Sequence, residues 1–238
     1  MHRICEAPQV GGERLRVFAA GSLRSAFDAL AEHWPGLVDI RYANASVLAE
    51  AILAGEPADV FASASPHEPR RLAARGVAHP SQPFAFNRLV VAVPAASDVE
   101  SFDEIAQPQT RVVIEIAGIP LGDYTRELVD RLGEWRGDDL AARIVRNVVG
   151  EREDVDAVSA ALYEDEADAA ILYATDVARS GGRLRALELP AEVATPATYV
   201  VCALRAAPRW QDAQVWIDLM LGPLGTRLLR QAGFEPRA

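Results

Sequence analysis

Short apolar runs alternate along this chain with longer segments in which apolar residues recur every three or four positions. LRVFAA (15–20) is an uninterrupted run that stops at Gly21 and reads as a buried strand. After it, Leu23, Ala26, Phe27 and Leu30 recur at helical spacing, with Ser22 placed as the helix cap. VDIRYA (38–43) predicts a second strand, and SVLAEAILAG (46–55) predicts a helix that starts at Ser46 and stops at Gly55. ADVFASA (58–64) predicts a third strand, followed by the helix HEPRRLAARG (67–76). This order implies a parallel sheet with right-handed crossovers. Ligands of such sheets sit beyond the carboxyl ends of the strands, where Ser22, residues 44–46 and residues 63–65 fall.

FNRLVVAVP (86–94) is apolar enough to be a strand crossing between two lobes. TRVVIEIAGIP (110–120) and LGDYTRELVDRLG (121–133) begin a second strand–helix unit, continued by the strand RIVRNVVG (143–150) and the helix EDVDAVSAALYEDEA (153–167). DAAILYA (168–174) predicts a strand, TDVARSG (175–181) a short helix, and ATYVVCAL (197–204) a strand that crosses back. Residues 210–234 are helical with a break at Gly222-Pro223. The layout predicts an α/β fold of two lobes, each a mostly parallel sheet flanked by helices, joined by two crossing strands. Residues 15–85 with 200–238 form lobe 1, residues 86–199 form an inserted lobe 2, and residues 1–14 are a flexible lead-in.

Composition narrows the chemistry. With 238 residues, half of them hydrophobic, the chain can bury a core without disulfides or a structural metal. Its 24 basic and 34 acidic residues leave a net charge of −10, which argues against a nucleic-acid or anionic-membrane binder. All the basic residues are Arg, which excludes a catalytic Lys, a Schiff base and a P-loop. Cys5 and Cys202 form no C-x-x-C pair, although a single bridge between them is open, and His2, His33, His67 and His79 show no metal-ligand spacing. A bare metal cation and a cofactor are therefore not expected. G-x-S-x-G and G-x-G-x-x-G are both missing, and no nucleophile–base pair stands out, so no catalytic residues are expected. No apolar run is long enough to span a bilayer, and MHRICEAPQVGGERLR contains no apolar export-signal core.

The helix starts carry the remaining signal. A helix N-terminus offers several unpaired N–H groups and a partial positive charge. The starts at Ser22, Ala45-Ser46, Pro120-Leu121-Gly122 and Glu153-Asp154-Val155, together with serine and tyrosine hydroxyls, make a cage of neutral donors. Such a cage suits a fully ionised tetrahedral oxyanion, which has no proton of its own to donate.

The ordered set VFAAGSLRSAF, YANASVLAEAILAGEPADVFASAS, FNRLVVAVP, IPLGDYTRELVDRLG, GEREDVDAVSAALYEDEADAAILYATDV and GPLGTRLLRQAGF resembles the molybdate- and tungstate-binding proteins of ABC importers, over about residues 15–235. The resemblance implies a two-lobed periplasmic-binding-protein-like fold that closes on molybdate or tungstate and delivers it to a membrane permease. It implies a monomer, in the periplasm, with no nucleic-acid partner. It also implies the contacts. These are Ser22 after the first strand, Ala45 at the family's usual ligand serine with Ser46 beside it, the Leu121 and Val155 backbone N–H groups, and the Tyr173 hydroxyl. Three positions depart from the family pattern. Ala45 has no hydroxyl, Leu121 is bulkier than the usual alanine, and Asp123 adds a carboxylate near the turn. Other readings are the same fold on a different small anion or organic ligand, a cytoplasmic oxyanion sensor, and an enzyme on a two-lobed scaffold.

Overall fold

The structure is a computed structural model and describes residues 14–194 and 196–237. β1 (Leu15–Ala20) and β3 (Val60–Ser63) are buried along nearly their whole length, which is why their sequences are apolar runs without alternation. β1 pairs in parallel with β2 (Val38–Ala43) and with β3. The crossovers are α1 (Arg24–Ala31) and α2 (Ala45–Leu53), and α3 (His67–Ala74) follows β3. Beyond β3 the pairing turns antiparallel. β10 (Ala197–Ala203) lies beside β3, β4 (Gln82–Asn87) beside β10, and β11 (Glu235–Pro236) closes that edge. The six strands run β11-β4-β10-β3-β1-β2.

The second sheet has five strands. β6 (Val112–Glu115) pairs in parallel with β7 (Val148–Arg152) and β8 (Ala169–Tyr173), while β5 (Leu89–Pro94) pairs antiparallel with β8 and with β9 (Leu184–Glu188). Each sheet is thus mixed rather than mostly parallel. The parallel strands come from the strand–helix units, and the antiparallel ones are added where the chain passes between sheets. Helices α4 (Pro120–Arg136), α5 (Asp138–Arg146), α6 (Val155–Tyr163) and α7 (Ala174–Arg179) belong to this half. α8 (Trp210–Leu221) and α9 (Pro223–Gln231) return to the first sheet, separated at Gly222-Pro223 as the sequence predicts. Trp216 of α8 meets Phe27 and Trp34 edge-on at ring distances of 6.1 and 5.6 Å, anchoring that return.

Several boundaries differ from the sequence reading. The apolar stretch 86–94 breaks at Arg88: Asn87 ends β4 in the first sheet and Leu89 begins β5 in the second. β10 lies wholly in the first sheet, so the return passage lies between β9 and β10. The expected lobe limits at 86 and 199 therefore fall inside β4 and β10. Residues 143–146 finish α5 rather than opening a strand. Asp138 and Asp139 occupy that helix's first turn, and Leu140 and Ile144 bury one face at helical spacing. The β-branched run Ile144-Val145 imitates a strand in sequence.

Cys5 lies outside the described residues, and Cys202 is a buried free thiol in β10. Among the described residues no His, Cys, Asp and Glu cluster is placed to hold a metal ion. No helix among them is long and apolar enough to cross a membrane.

Candidate functional site

A cavity of about 310 Å³ opens between the two sheets, at the carboxyl ends of β1, β2, β6 and β8. Five of the six sequence candidates line it: Ser22, Ala45, Leu121, Val155 and Tyr173. Ser46 does not.

On the first-sheet wall, Ser22 sits in a single 3₁₀ turn, Gly21–Leu23, between β1 and α1. It does not cap the helix. Its Oγ instead shares a 2.8 Å hydrogen bond with Tyr199 Oη of β10. α2 starts one residue earlier than its sequence suggests, with Asn44 in the capping position and Ala45 as its buried first residue. The Asn44 side chain does not cap the helix either; its Nδ2 donates to the Glu153 carbonyl at 3.1 Å and so spans the cleft. Arg24 also lines this wall, with its guanidinium 4.2 Å from the centre of the Tyr42 ring.

On the second-sheet wall, α4 starts directly at Pro120, whose missing N–H costs nothing at the first helical position. Gly122 makes this start possible. A Cβ there would lie 1.8 Å from the Ile116 carbonyl oxygen, so only glycine lets the first turn of α4 approach the end of β6. α6 is capped by Asp154, whose Oδ1 accepts from the Ala157 N–H at 2.8 Å. The Val155 and Asp156 amides belong to that first turn and have no acceptor within the helix.

Tyr173 ends β8, and its hydroxyl is buried without a hydrogen-bond partner. Burial, first, and the neighbouring Tyr199, Tyr124, Glu115 and Asp176 hold its acidity well below that of a free phenol. It therefore remains a neutral donor.

The sequence reading missed Glu115. This last residue of β6 lines the cavity at 1 % exposure. Its Oε2 accepts from the Gly122 N–H at 3.2 Å, while Oε1 is buried and unpartnered. Burial raises the carboxyl to about 7, against the lowering effect of the Gly122 and Leu121 N–H groups of α4, with Asp176 and Asp154 adding to the rise. Asp123, the carboxylate the sequence brings near this turn, is exposed and accepts from the Gly118 N–H at 2.8 Å instead. Beside the neutral donors that the sequence predicts, Arg24 and Arg179 also line the cavity. Arg179 is held by Asp156 at 3.0 Å and Asp176 at 3.3 Å. Glu115 and Arg179 had no motif to mark them. The signal available for Glu115 was a lone acid ending the apolar run VVI just before Pro120.

A profile of the family described as bacterial extracellular solute-binding protein matches residues 15–235. The molybdate-binding protein ModA of Mycobacterium tuberculosis is 29% identical over 236 residues, covering 95% of this chain and 86% of its own. Among solved structures, the Azotobacter vinelandii periplasmic molybdate-binding protein superposes with a TM-score of 0.79 at 20% identity, covering 94% of this chain and 100% of its own. The Mycobacterium tuberculosis sulfate-binding protein SubI superposes with a TM-score of 0.80 at 14% identity, covering 94% of this chain and 86% of its own.

Proposed function

The chain belongs to the bacterial extracellular solute-binding protein family, a family of binding proteins and not of enzymes, and from that premise we propose that its solute is molybdate or tungstate. The observation that carries this is the buried, unpartnered hydroxyl of Tyr173, a residue that lines the cavity where α2, α4 and α6 begin. A neutral donor that cannot ionise and has no acceptor is suited to an oxygen brought by a ligand. Leu121, Val155 and Ser22 line the same space. The 29% identity to the molybdate-binding protein of Mycobacterium tuberculosis over nearly the whole chain supports the same choice.

In this reading the two lobes close on the anion about the passages at Arg88 and between β9 and β10, and the closed form delivers it to the membrane permease of an ABC importer. The protein acts in the periplasm as a monomer. Ordinary hydrogen bonds from a fixed cage select by cavity size and donor number.

The Glu115 carboxyl favours a second reading, in which the solute is an anion that carries its own proton. Isothermal titration of the protein with molybdate, tungstate, sulfate and phosphate at pH 7 separates the two. Sub-micromolar binding of molybdate and tungstate with sulfate and phosphate silent is the expected result. Preference for phosphate establishes the second reading, and silence toward all four overturns the oxyanion assignment.

A further inference from the structure

Among the described residues, two buried side-chain oxygens of the cavity wall lack a hydrogen-bond partner, Tyr173 Oη and Glu115 Oε1. The first is a donor of the kind an oxyanion cage requires. The second is a carboxyl oxygen in a place where a bound dianion would repel an ionised group. Its partner oxygen is anchored at the N-terminus of α4, on the Gly122 N–H, and the residue lines the cavity. We propose that Glu115 contacts the ligand as a neutral acid, with Oε2 accepting from α4 and a protonated Oε1 donating to one ligand oxygen, so that capture of a dianion takes up one proton. This rests on the oxyanion reading of the site. The proton comes from solvent and stays on Glu115, and no covalent bond to the ligand forms.

The charges around Glu115 favour this state. Asp154, before α6, and Asp176 of α7 both oppose its ionisation. The cations nearby are already engaged. Arg179 of α7 is paired with Asp156 and Asp176. Arg152, opposite Glu115 on β7, is paired with Glu166. Arg126 of α4 donates to the Glu115 backbone carbonyl and pairs with Glu151. Across the cleft, Arg24 of α1 stacks on Tyr42. Tyr173 of β8 stays neutral. The free carboxyl already titrates near 7, and an arriving dianion moves it further up, so the bound state holds the proton.

The sign follows. Below pH 7 the proton is already present and affinity does not change with its loading. Above pH 7 each binding event takes a proton from solution, and affinity falls by about tenfold per pH unit. Asp176, the other raised carboxyl nearby, titrates at about 6, below that window.

The test is isothermal titration with tungstate and molybdate from pH 6 to pH 9, at each pH in two buffers of different ionisation enthalpy. Wild type is expected to take up about one proton at pH 8.5 and to lose about tenfold in affinity from pH 8 to pH 9. Glu115→Gln keeps a neutral donor of the same shape, and is expected to bind at every pH with no proton uptake and a flat profile. Glu115→Ala removes the donor and is expected to bind about ten- to a hundredfold more weakly at pH 6. Thermal melting of each variant confirms that it is folded. Wild-type binding with a flat profile and no proton uptake overturns the role of Glu115 and leaves the oxyanion reading standing. Affinity that rises with pH also overturns it, since Glu115 is then an ionised acceptor. Silence of the wild type toward both anions at every pH overturns the oxyanion reading and this inference with it.

Discussion

Ser22 and Tyr173 occupy matching places on opposite walls of the cleft. Each lies at the carboxyl end of a strand from its own sheet and carries a hydroxyl into the same cavity. Their states differ. Ser22 Oγ is already bonded to Tyr199 Oη, whereas Tyr173 Oη is buried with no partner. The same contrast extends to the carboxylates. Among the described residues, no carboxylate of the first-sheet wall lines the cavity, whereas Glu115, Asp154 and Asp156 of the second-sheet wall do. On one wall the hydroxyl is satisfied internally and can wait without a ligand. The other holds buried polar atoms that cost free energy until something pairs with them. Binding energy should therefore come mainly from the second-sheet wall, and substitutions there should outweigh those opposite.

The largest effect is expected at Gly122, where the second wall is assembled. Gly122→Ala places a Cβ 1.8 Å from the Ile116 oxygen, so α4 must move off the end of β6. The expected cost is above about 3 kcal/mol, from forced backbone displacement in a packed site. Denaturant unfolding measures it, and a change under about 1 kcal/mol would show that α4 is free to shift.

Glu115→Gln comes next and acts in the opposite direction. The carboxyl titrates at about 7 in the fold against an ordinary value of 4.5. Between those values the folded state binds more protons than the unfolded state, so stability falls as pH rises through the window. By pH 8 the wild type is weakened by about 3 kcal/mol relative to acid conditions, and Gln removes that loss. The variant is expected to be the more stable protein at pH 8, with the difference vanishing below pH 4.5. Parallel melts across that range are the check, and a difference independent of pH would mean that Glu115 is not titrating there.

Tyr173→Phe removes the unpartnered donor and little else. Affinity for molybdate or tungstate is expected to fall ten- to a hundredfold, equivalent to about 1.5–3 kcal/mol for a hydrogen bond to a charged acceptor. The melting temperature of the free protein should hold or rise, because an unsatisfied buried hydroxyl is gone. Unchanged affinity in titration would move the site away from this wall.

These expectations separate what was legible in the sequence from what was not. β1 and β2 were readable to the residue, because an apolar run or a half-buried alternation ends at a turn signal. The strand-end positions of Ser22, Ala45, Leu121, Val155 and Tyr173 followed from the strand–helix order and from the family resemblance. Glu115 was not readable. An acid at the end of a strand is usually solvated, and only the approach of α4 permitted by Gly122 buries it. Arg179 was hidden likewise, in a short helix where it pairs with Asp156 of α6 and Asp176 of α7. α5 was misread because its buried Leu140 and Ile144 lead into the β-branched Val145, and local pattern alone does not separate the two periods.

The first-sheet wall gives the smallest and most discriminating prediction, because its two adjacent candidates part company in the structure. Ala45 is buried at the start of α2 and lines the cavity, while Ser46 is half-buried and does not. If Ser46 substituted for the missing serine, Ser46→Ala would weaken binding about tenfold. The geometry predicts a change of less than about twofold, within the usual range for a surface substitution. Ala45→Ser instead puts a hydroxyl on the cavity side at the first residue of α2. It is expected to tighten binding by up to about tenfold, the net worth of one hydrogen bond of about 1.4 kcal/mol. Titrating the two variants beside the wild type decides the matter by sign. A loss in Ser46→Ala with no gain in Ala45→Ser would mean that α2 rotates as the cleft closes. The first-sheet wall would then be the one that adjusts, and the contrast between a satisfied wall and a demanding one would be reversed in the bound state.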